Sequence, residues 1–484
     1  MCINLYASRV ILDALGISDY GIYNVVGGVI AMFSFLSSSF STSISRYITF
    51  ALGKGDMDNL KKVFSTSVNV QILISLIIVV LAEIVGIWFL ENKINLPEGR
   101  LEAAHWVFQC SLMAFVVNLI SIPYNATIIA HERMNAFAYI SILESILKLA
   151  IIFLLYKSPF DKLKTYAILV LSVSIIIRYV YGHYSKKHFE ESSYHFVYDK
   201  ELMRKMFGFA RWNVVGNGAW ILNTQGINIL INLFFGVTLN AARGVATQID
   251  GVVQQFASNF NTAFSPQITK SFAEGNLEYF HKLIIAGSKF TAFLLLFLIV
   301  PICLEVETIL SIWLVEVPEY TATFVRFTLI GSFLISIENP LYIANNAVGN
   351  IRRYQIIVSL LSLLNFPLSY IAFKMGYSVV ATYIIYIGVY LIVDLAKPFL
   401  TQKNIEMPAW TYICSVLLRV LCVSIIVFLV PWLLMQLQEP GVFRLIMTTA
   451  ISVFFTSLVV YFLGLNKGEQ VMIKQYVTRV IKKK

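Results

Sequence analysis

Thirteen apolar stretches, at about 21–50, 62–90, 103–130, 134–156, 163–185, 206–235, 241–266, 282–303, 321–349, 353–374, 378–397, 410–435 and 442–464, follow one another with short interruptions. Each is long enough to cross a hydrocarbon layer, which takes about 20 residues of helix for about 30 Å. A backbone in lipid must satisfy its own hydrogen bonds, so such a series folds as helices. Charge is scarce to match: 37 Lys and Arg plus 27 Asp and Glu make 64 of 484 residues, or 13%, where a soluble protein carries about 25%. With 58% apolar residues and a mean hydropathy of +0.74, the chain reads as an all-α polytopic membrane protein. A string of soluble domains is excluded.

The basic residues set the orientation. One group of loops, from Lys54, Lys61 and Lys62 through Lys289 and Lys397 to Lys403, carries 16 Lys and Arg, and the tail from Lys467 to Lys484 adds 6, making 22. The opposite loops carry 7 (Lys93, Arg100, Lys157, Lys162, Lys164, Lys374 and Arg444) and gather Glu305, Glu307, Glu316 and Glu319. The richer side is cytoplasmic. The net charge of +10 then reflects this bias and the pull of anionic headgroups, and nucleic acid is not an expected partner. Residues 1–12 are apolar but rise only about 18 Å as a helix, so the first span is expected to be truncated at its start. Counting it gives about 14 spans with the C-terminus inside. Met1 leads to Arg9 through Cys-Ile-Asn-Leu-Tyr-Ala-Ser without the basic region or cleavage site of a signal peptide.

The first 12 helices fall into two halves that resemble each other. Ile48-Thr49 with Gly55-Asp56 recurs as Ile268-Thr269 with Gly275-Asn276, a shift of 220, and Gly16 maps to Gly236 by the same shift. Gly21 and Gly28 recur as Gly244 and Gly251, and Pro123 in the fourth helix and Pro340 in the tenth are 217 apart. A six-helix shift preserves direction, so the halves are parallel repeats. The expected organisation is an N-lobe over 1–188, a cytoplasmic inter-lobe linker over 189–205, a C-lobe over 206–400, and a segment over 401–484 holding two further helices and a basic tail.

Polar residues inside the spans are the candidate site. At 100° per residue, Arg243, Thr247, Asp250, Gln254, Ser258, Asn261 and Ser265 fall within an arc of about 100° on helix 241–266. A lipid-facing helix cannot carry that stripe. Its repeat mate carries smaller groups, among them Asn24, Ser34, Ser38, Ser41, Thr42 and Ser45, and helix 206–235 aligns Asn213, Asn217, Thr224, Asn228 and Asn232. Such stripes serve either a hydrated cavity or close helix packing through small polar residues. Glu144 and Lys148 are an i,i+4 pair in mid-span. Glu338 precedes Asn339-Pro340, where proline frees a carbonyl and bends the helix. Arg46, Arg178 and Arg211 sit near inner ends and Arg9 near an outer end. Arg243 and Asp250 are two turns apart, about 10.5 Å along the axis, too far for direct contact, so Arg243 is expected to have no local partner.

Enzyme signatures are missing. There is no P-loop, no His-Glu-x-x-His and no Cys-x-x-Cys, and Gly216-Asn217-Gly218 lacks the strand and third glycine of a dinucleotide site. The five cysteines are scattered through apolar segments and the six histidines sit mostly at span ends, so neither a cofactor nor a metal is expected.

The opening run is more specific. Tyr6-Ala7-Ser8-Arg9-Val10-Ile11-Leu12, Leu15-Gly16, Asp19 to Gly28, Ser45-Arg46-Tyr47 and Leu52 to Asp56 resemble the lipopolysaccharide and polysaccharide (O-antigen or capsule) flippases of Bacteroidetes-type bacteria, within the multidrug/oligosaccharidyl-lipid/polysaccharide exporter superfamily. The resemblance implies two six-helix bundles plus two extra helices in the bacterial inner membrane, with a cavity lined by helices 1, 2, 7 and 8. It implies export of undecaprenyl-pyrophosphate-linked oligosaccharides, a lipid-linked oligosaccharide and the bilayer as partners, and a polymerase and glycosyltransferases in the same pathway. On that reading Arg243, Arg9, Arg46 and Arg211 meet phosphate. Asn24, Ser34, Ser38, Asn213, Asn217, Thr224, Asn228, Gln254 and Asn261 meet sugar. Asp250, Glu144 and Glu338 serve ion coupling. A multidrug antiporter of the same fold and a membrane polysaccharide polymerase or ligase are the alternatives.

Overall fold

The computed structural model describes residues 33–92, 99–314 and 317–471, together with scattered positions between 11 and 30 and Lys474. Among the described residues every regular element is helical. The chain divides into two compact units, residues 1–217 and 218–484, with the division inside one long helix.

The first unit holds α1 (Ser34–Lys54), α2 (Met57–Asn92), α3 (Leu101–Ala130), α4 (Met134–Lys157), α5 (Lys162–His188) and the start of α6 (Lys200–Phe235). Lipid is as apolar as leucine, so burying an aliphatic group there gains little by transfer, and tight packing has to hold the helices together. Ile44 and Ile48 of α1, Phe64 of α2, Tyr124 and Ile128 of α3 and Tyr181 of α5 form that packed centre, with the Phe64 and Tyr124 rings edge to face at 5.1 Å. Beyond α5 the expected linker is tied down. Lys61 Nζ pairs with Glu190 at 2.5 Å and His131 Nε2 with Glu191 at 2.6 Å. Asn69 of α2 both donates to Val197 O and accepts from Tyr194 Oη, each at 2.8 Å.

The second unit holds the rest of α6, then α7 (Val237–Ala273), α8 (Leu277–Leu304), α9 (Val306–Trp313), α10 (Thr321–Ile337), α11 (Asn339–Val348), α12 (Arg352–Leu363), α13 (Asn365–Lys374), α14 (Val380–Ile405), α15 (Ala409–Tyr412), a π-helical turn at Ile413–Leu418, α16 (Arg419–Met435) and α17 (Val442–Val459). The span expected over 321–349 is broken at Glu338, and that over 353–374 at Leu364. In both cases a proline, Pro340 or Pro367, lies in the first turn of the following piece, where a missing N–H does no harm. Two ion contacts fasten α17 and the segment after it to α8 and its C-cap. At one end Glu305 accepts from Arg444 Nη2 at 3.1 Å, Thr448 Oγ1 at 3.0 Å and Thr308 Oγ1 at 2.8 Å. At the other, Lys289 Nζ donates to Glu469 at 2.7 Å.

Ten described helices, counting broken ones once, are long and apolar enough to cross a membrane. Of the expected spans not among them, those over 206–235 and 241–266 are polar-striped, and that over 21–50 lies partly outside the described residues. The repeat is visible in local geometry. Gly55 and Gly275 both take left-handed backbone (φ 70° and 76°). The residue after each starts the next helix, Asp56 Oδ1 accepting from Asn59 N and Asn276 Oδ1 from Tyr279 N. A residue with a Cβ is disfavoured at that φ, which accounts for the matched glycines.

The orientation count needs one correction. Lys289 and Lys397, read as loop residues, are buried inside α8 and α14, each held by carboxylates. Removing the two leaves 22 − 2 = 20 basic residues against 7, and the side assigned to the cytoplasm is unchanged.

These contacts differ in what their loss should cost. Glu305→Ala strands the partly buried Arg444 and should cost about 3–5 kcal/mol, read as a lower melting temperature in detergent. Glu307→Ala, which breaks an exposed pair with Arg326, should cost no more than about 1 kcal/mol. Glu191 gives a pH dependence: burial opposes its ionisation, but hydrogen bonds from His131 and from its own backbone amide hold it below the usual carboxylate range. Its contribution is therefore full above about pH 4.3 and is lost as pH falls through the lower folded value. The stability gap between the native protein and Glu191→Gln, measured by thermal melts at a series of pH values, should close on acidification; a gap that widened in acid would refute the assignment.

Candidate functional site

Helix α7 does not present its polar stripe as one wet face. Gln254 Nε2 donates to Ser332 O at 3.2 Å and Ser336 Oγ at 3.1 Å on α10, and Asn261 Oδ1 accepts from Thr291 of α8 at 3.4 Å. Asp250 bonds Ser332 and keeps Oδ1 buried without a partner. Thr247 and Ser258 remain exposed. An arc of about 100° is wide enough to reach both neighbours and the open side, so its edges go to packing. The exposed face is centred on Gly244, Gln248, Gly251, Gln255 and Asn259. A Cβ placed on Gly244 or Gly251 meets nothing within 4 Å, and Gln255 Nε2 donates to Asn259 Oδ1 at 3.0 Å. These amides were not among the residues expected from sequence, although their spacing of 4, 3, 4 and 4 is itself helical.

Arg243 stands at the outer end of this face. Its Nε donates to Asn228 Oδ1 of α6 at 2.5 Å, and its guanidinium lies 5.8 Å from the Tyr383 ring centroid. Asn228 Nδ2 in turn donates to Gln225 Oε1 at 3.1 Å. The expectation of an arginine without local partners is thus corrected: the partners exist, and they are neutral. They orient the fork and leave its charge in place.

The other expected residues are dispersed. Arg9 and Asn24 lie outside the described residues. Arg46 sits among three rings, 4.8 Å from Tyr47, 5.5 Å from Phe50 and 5.1 Å from Phe209, and exposed Arg211 lies 5.0 Å over Trp212. In the first unit Asn217 Nδ2 donates to Ser38 Oγ at 3.1 Å and Ser39 Oγ at 2.8 Å, while Ser34 is exposed. Asn213 and Thr224 turn back on carbonyls of their own helix, Phe209 O and Trp220 O, the usual alternative for short polar side chains in helices. Glu144 and Lys148 pair at 2.6 Å, half exposed. Glu338 is paired with Lys397 at 3.0 Å.

Known proteins share this fold. The family described as "Polysaccharide biosynthesis protein" matches residues 7–272, which is 272 − 7 + 1 = 266 of 484 and more than half. The chain belongs to the polysaccharide biosynthesis protein family. A curated relative, the uncharacterized membrane protein EpsK of Bacillus subtilis (strain 168), is 20% identical over 282 residues, covering 57% of this chain and 55% of that protein. The chain therefore aligns with about half the length of that relative. A solved multidrug resistance MATE family transporter of the MOP superfamily, in an outward-facing conformation, superposes with a TM-score of 0.69 at 14% identity, over 84% of this chain and 92% of its own. A MOP superfamily transporter from Pyrococcus furiosus Vc1 (DSM3638), described by the reverse polarity of its binding pocket, gives 0.66 at 13% identity over 84% and 92%. The fold of this family member is that of the MATE transporters, and the resemblance drawn from the opening motif holds.

Hydration of the α7 face in this polysaccharide-family chain is testable. In a cysteine-free background, Ser258→Cys should react with a charged, water-soluble thiol reagent, and Ala257→Cys, which is fully buried, should not. Equal protection of both would mean that lipid or protein covers the face.

Proposed function

We propose that the protein is an exporter that moves undecaprenyl-pyrophosphate-linked oligosaccharide repeat units across the bacterial inner membrane by alternating access, for O-antigen, capsule or exopolysaccharide synthesis. Family membership supports the coarse part of this reading. The finer part rests on one observation, Arg243 oriented by Asn228 and Tyr383 at the edge of an open face of amides, glycines and hydroxyls. A pyrophosphate needs a cation whose charge is not already spent, and the planar guanidinium matches two phosphate oxygens at once. The glycan needs many neutral donors and acceptors, which Gln248, Gln255, Ser258 and Asn259 offer, with Asn217, Ser34 and Ser38 as further candidates on the first unit. Arg46 and Arg211, both against aromatic rings, are secondary candidates, and Asp250, Glu144 and Glu338 are the acids considered for coupling.

The competing reading is a cation-coupled multidrug antiporter, which the likeness to a multidrug resistance transporter brings forward. Asp250, with a buried free oxygen, is the group that favours it. An antiporter of cations needs acids to outweigh bases on the open face, and Arg243 works against that.

A knockout complemented with variants decides between the two. Arg243→Ala should abolish surface polysaccharide at normal protein abundance. Arg243→Lys should restore part of it, because an ammonium keeps the charge and loses the fork. Asn228→Ala should give a smaller loss, since only the aim of the guanidinium changes. Full export by Arg243→Ala at normal abundance would remove the phosphate role.

A further inference from the structure

In the second unit α10 gives way to α11 at Glu338, and α14 carries Pro398 in its interior. The residues beside these two prolines meet. Lys397 Nζ lies 3.0 Å from Glu338 Oε2 and 3.2 Å from Asp394 Oδ1, and the two carboxyl groups interact directly. All three residues are buried. The Glu338 side chain has 0% exposure.

Two ionised carboxylates against one ammonium would leave an excess negative charge where desolvation costs several kcal/mol per ion. Carboxyls in contact avoid this by sharing a proton. A metal cation is a poor substitute, because the Lys397 ammonium already occupies the approach to both carboxyls and would repel it. The other groups facing Glu338 are phenols, Tyr354 from α12 and Tyr412 from α15. Lys289 of α8 is committed to Glu469 and Asp250 of α7 to Ser332.

The surroundings are polar on one side and apolar on the other. At the turn before Arg352 and Arg353, half-buried Asn404 donates to Asn350 O and to Asn345 Oδ1, each at 2.9 Å. Further in, Tyr342 bonds Asn346 and Gln355, and Tyr354 reaches the field of Lys397 and Glu338. Polar side chains thus stand between the basic turn, on the side assigned to the cytoplasm, and the ion cluster. On the other side Asp394 faces a cavity of about 660 Å³ whose lining is mostly apolar, Leu296, Ile299, Phe333 and Val420 among others, with Arg326 and Ser424 as further polar side chains.

We propose that Glu338 and Asp394, held by Lys397, form a single-proton site that exchanges with the cytoplasm on the side of Asn345 and Asn404. Because its members sit at the α10–α11 break and beside Pro398, loading the proton and releasing it set the bend of those two helices. Use of this proton to drive export rests on the function proposed above; the existence of the site does not.

Infrared spectroscopy of the purified full-length chain in liposomes tests it. The native protein should show a protonated-carboxyl band near neutral pH that disappears in alkali. Glu338→Gln and Asp394→Asn should each abolish the band, since either leaves a neutral pair with Lys397, and Asp250→Asn should leave it intact. A band that survives both of the first two substitutions, or no band at any pH, overturns the proposal. As a check free of misfolded variants, dicyclohexylcarbodiimide, an apolar reagent selective for protonated carboxyls, should label Glu338 or Asp394 of the native chain, less so in alkali. Labelling of neither residue likewise overturns it. No readout involves transport, so a failed export assay beside an intact proton signal would sink the export reading alone.

Discussion

Every polar group placed inside a membrane must find its partner within the protein, and this constraint decides how the chain is arranged more than apolar burial does. Exposed leucines and isoleucines run along α2, α14 and α16, as expected where the solvent is hydrocarbon. What fixes one helix against another is a small set of polar contacts: Gln254 on Ser332 and Ser336, Asn365 Nδ2 on Asn223 Oδ1 at 3.1 Å, and Ser288 on Tyr412 at 2.9 Å. Each contact is modest, worth about 1 kcal/mol or less. Each nevertheless excludes alternative rotations of a helix, since turning it away would leave an amide or hydroxyl facing lipid. The buried ion pairs extend the same logic at greater cost and with less tolerance for error.

The architecture was legible because its signals are long-range in sequence. Span lengths, basic asymmetry and a repeat offset near 220 each average over many residues, so a misjudged residue alters none of them. Lys289 and Lys397 show where that averaging hides something. Both sat close enough to predicted span ends to read as interfacial, and nothing in their neighbours announces a carboxylate partner. Glu469 is 180 positions from Lys289, and only folding brings the two together. Helix breaks were half legible: Pro340 marked one, and its consequence, a helix restarting at Asn339, followed from the missing N–H.

The polar stripe on α7 was legible in the sequence, and its division between helix packing and an exposed face was not. Periodicity gives the angle at which a residue leaves the helix and says nothing of what stands there. Asp250, Gln254 and Asn261 met α10 and α8, while the glycine and amide positions between them met open space. Glycine carries almost no weight in an apolar-against-polar pattern, so Gly244 and Gly251 concealed the face on which Gln248, Gln255 and Asn259 lie. Arg243 was picked out as an arginine without a local partner, yet its orientation comes from Asn228, 15 residues away on another helix.

Within the second unit, charge is handled in two opposite ways. Around Glu338, Asp394 and Lys397 the groups are packed against one another, dehydrated and nearly balanced, so that a single proton tips the local charge. At Arg243 the contacts are an amide and an aromatic ring, which fix direction without supplying a counter-ion. A balanced buried cluster is suited to changing state, because small changes in protonation alter large electrostatic terms in a low dielectric. A cation aimed by neutral groups is suited to meeting an anion from outside, because its electrostatic energy has not been satisfied internally. The exporter proposed above, with its anionic lipid-linked substrate, requires both properties and requires them to be separate, since a substrate phosphate that could reach Lys397 would compete with Glu338 and Asp394 for it.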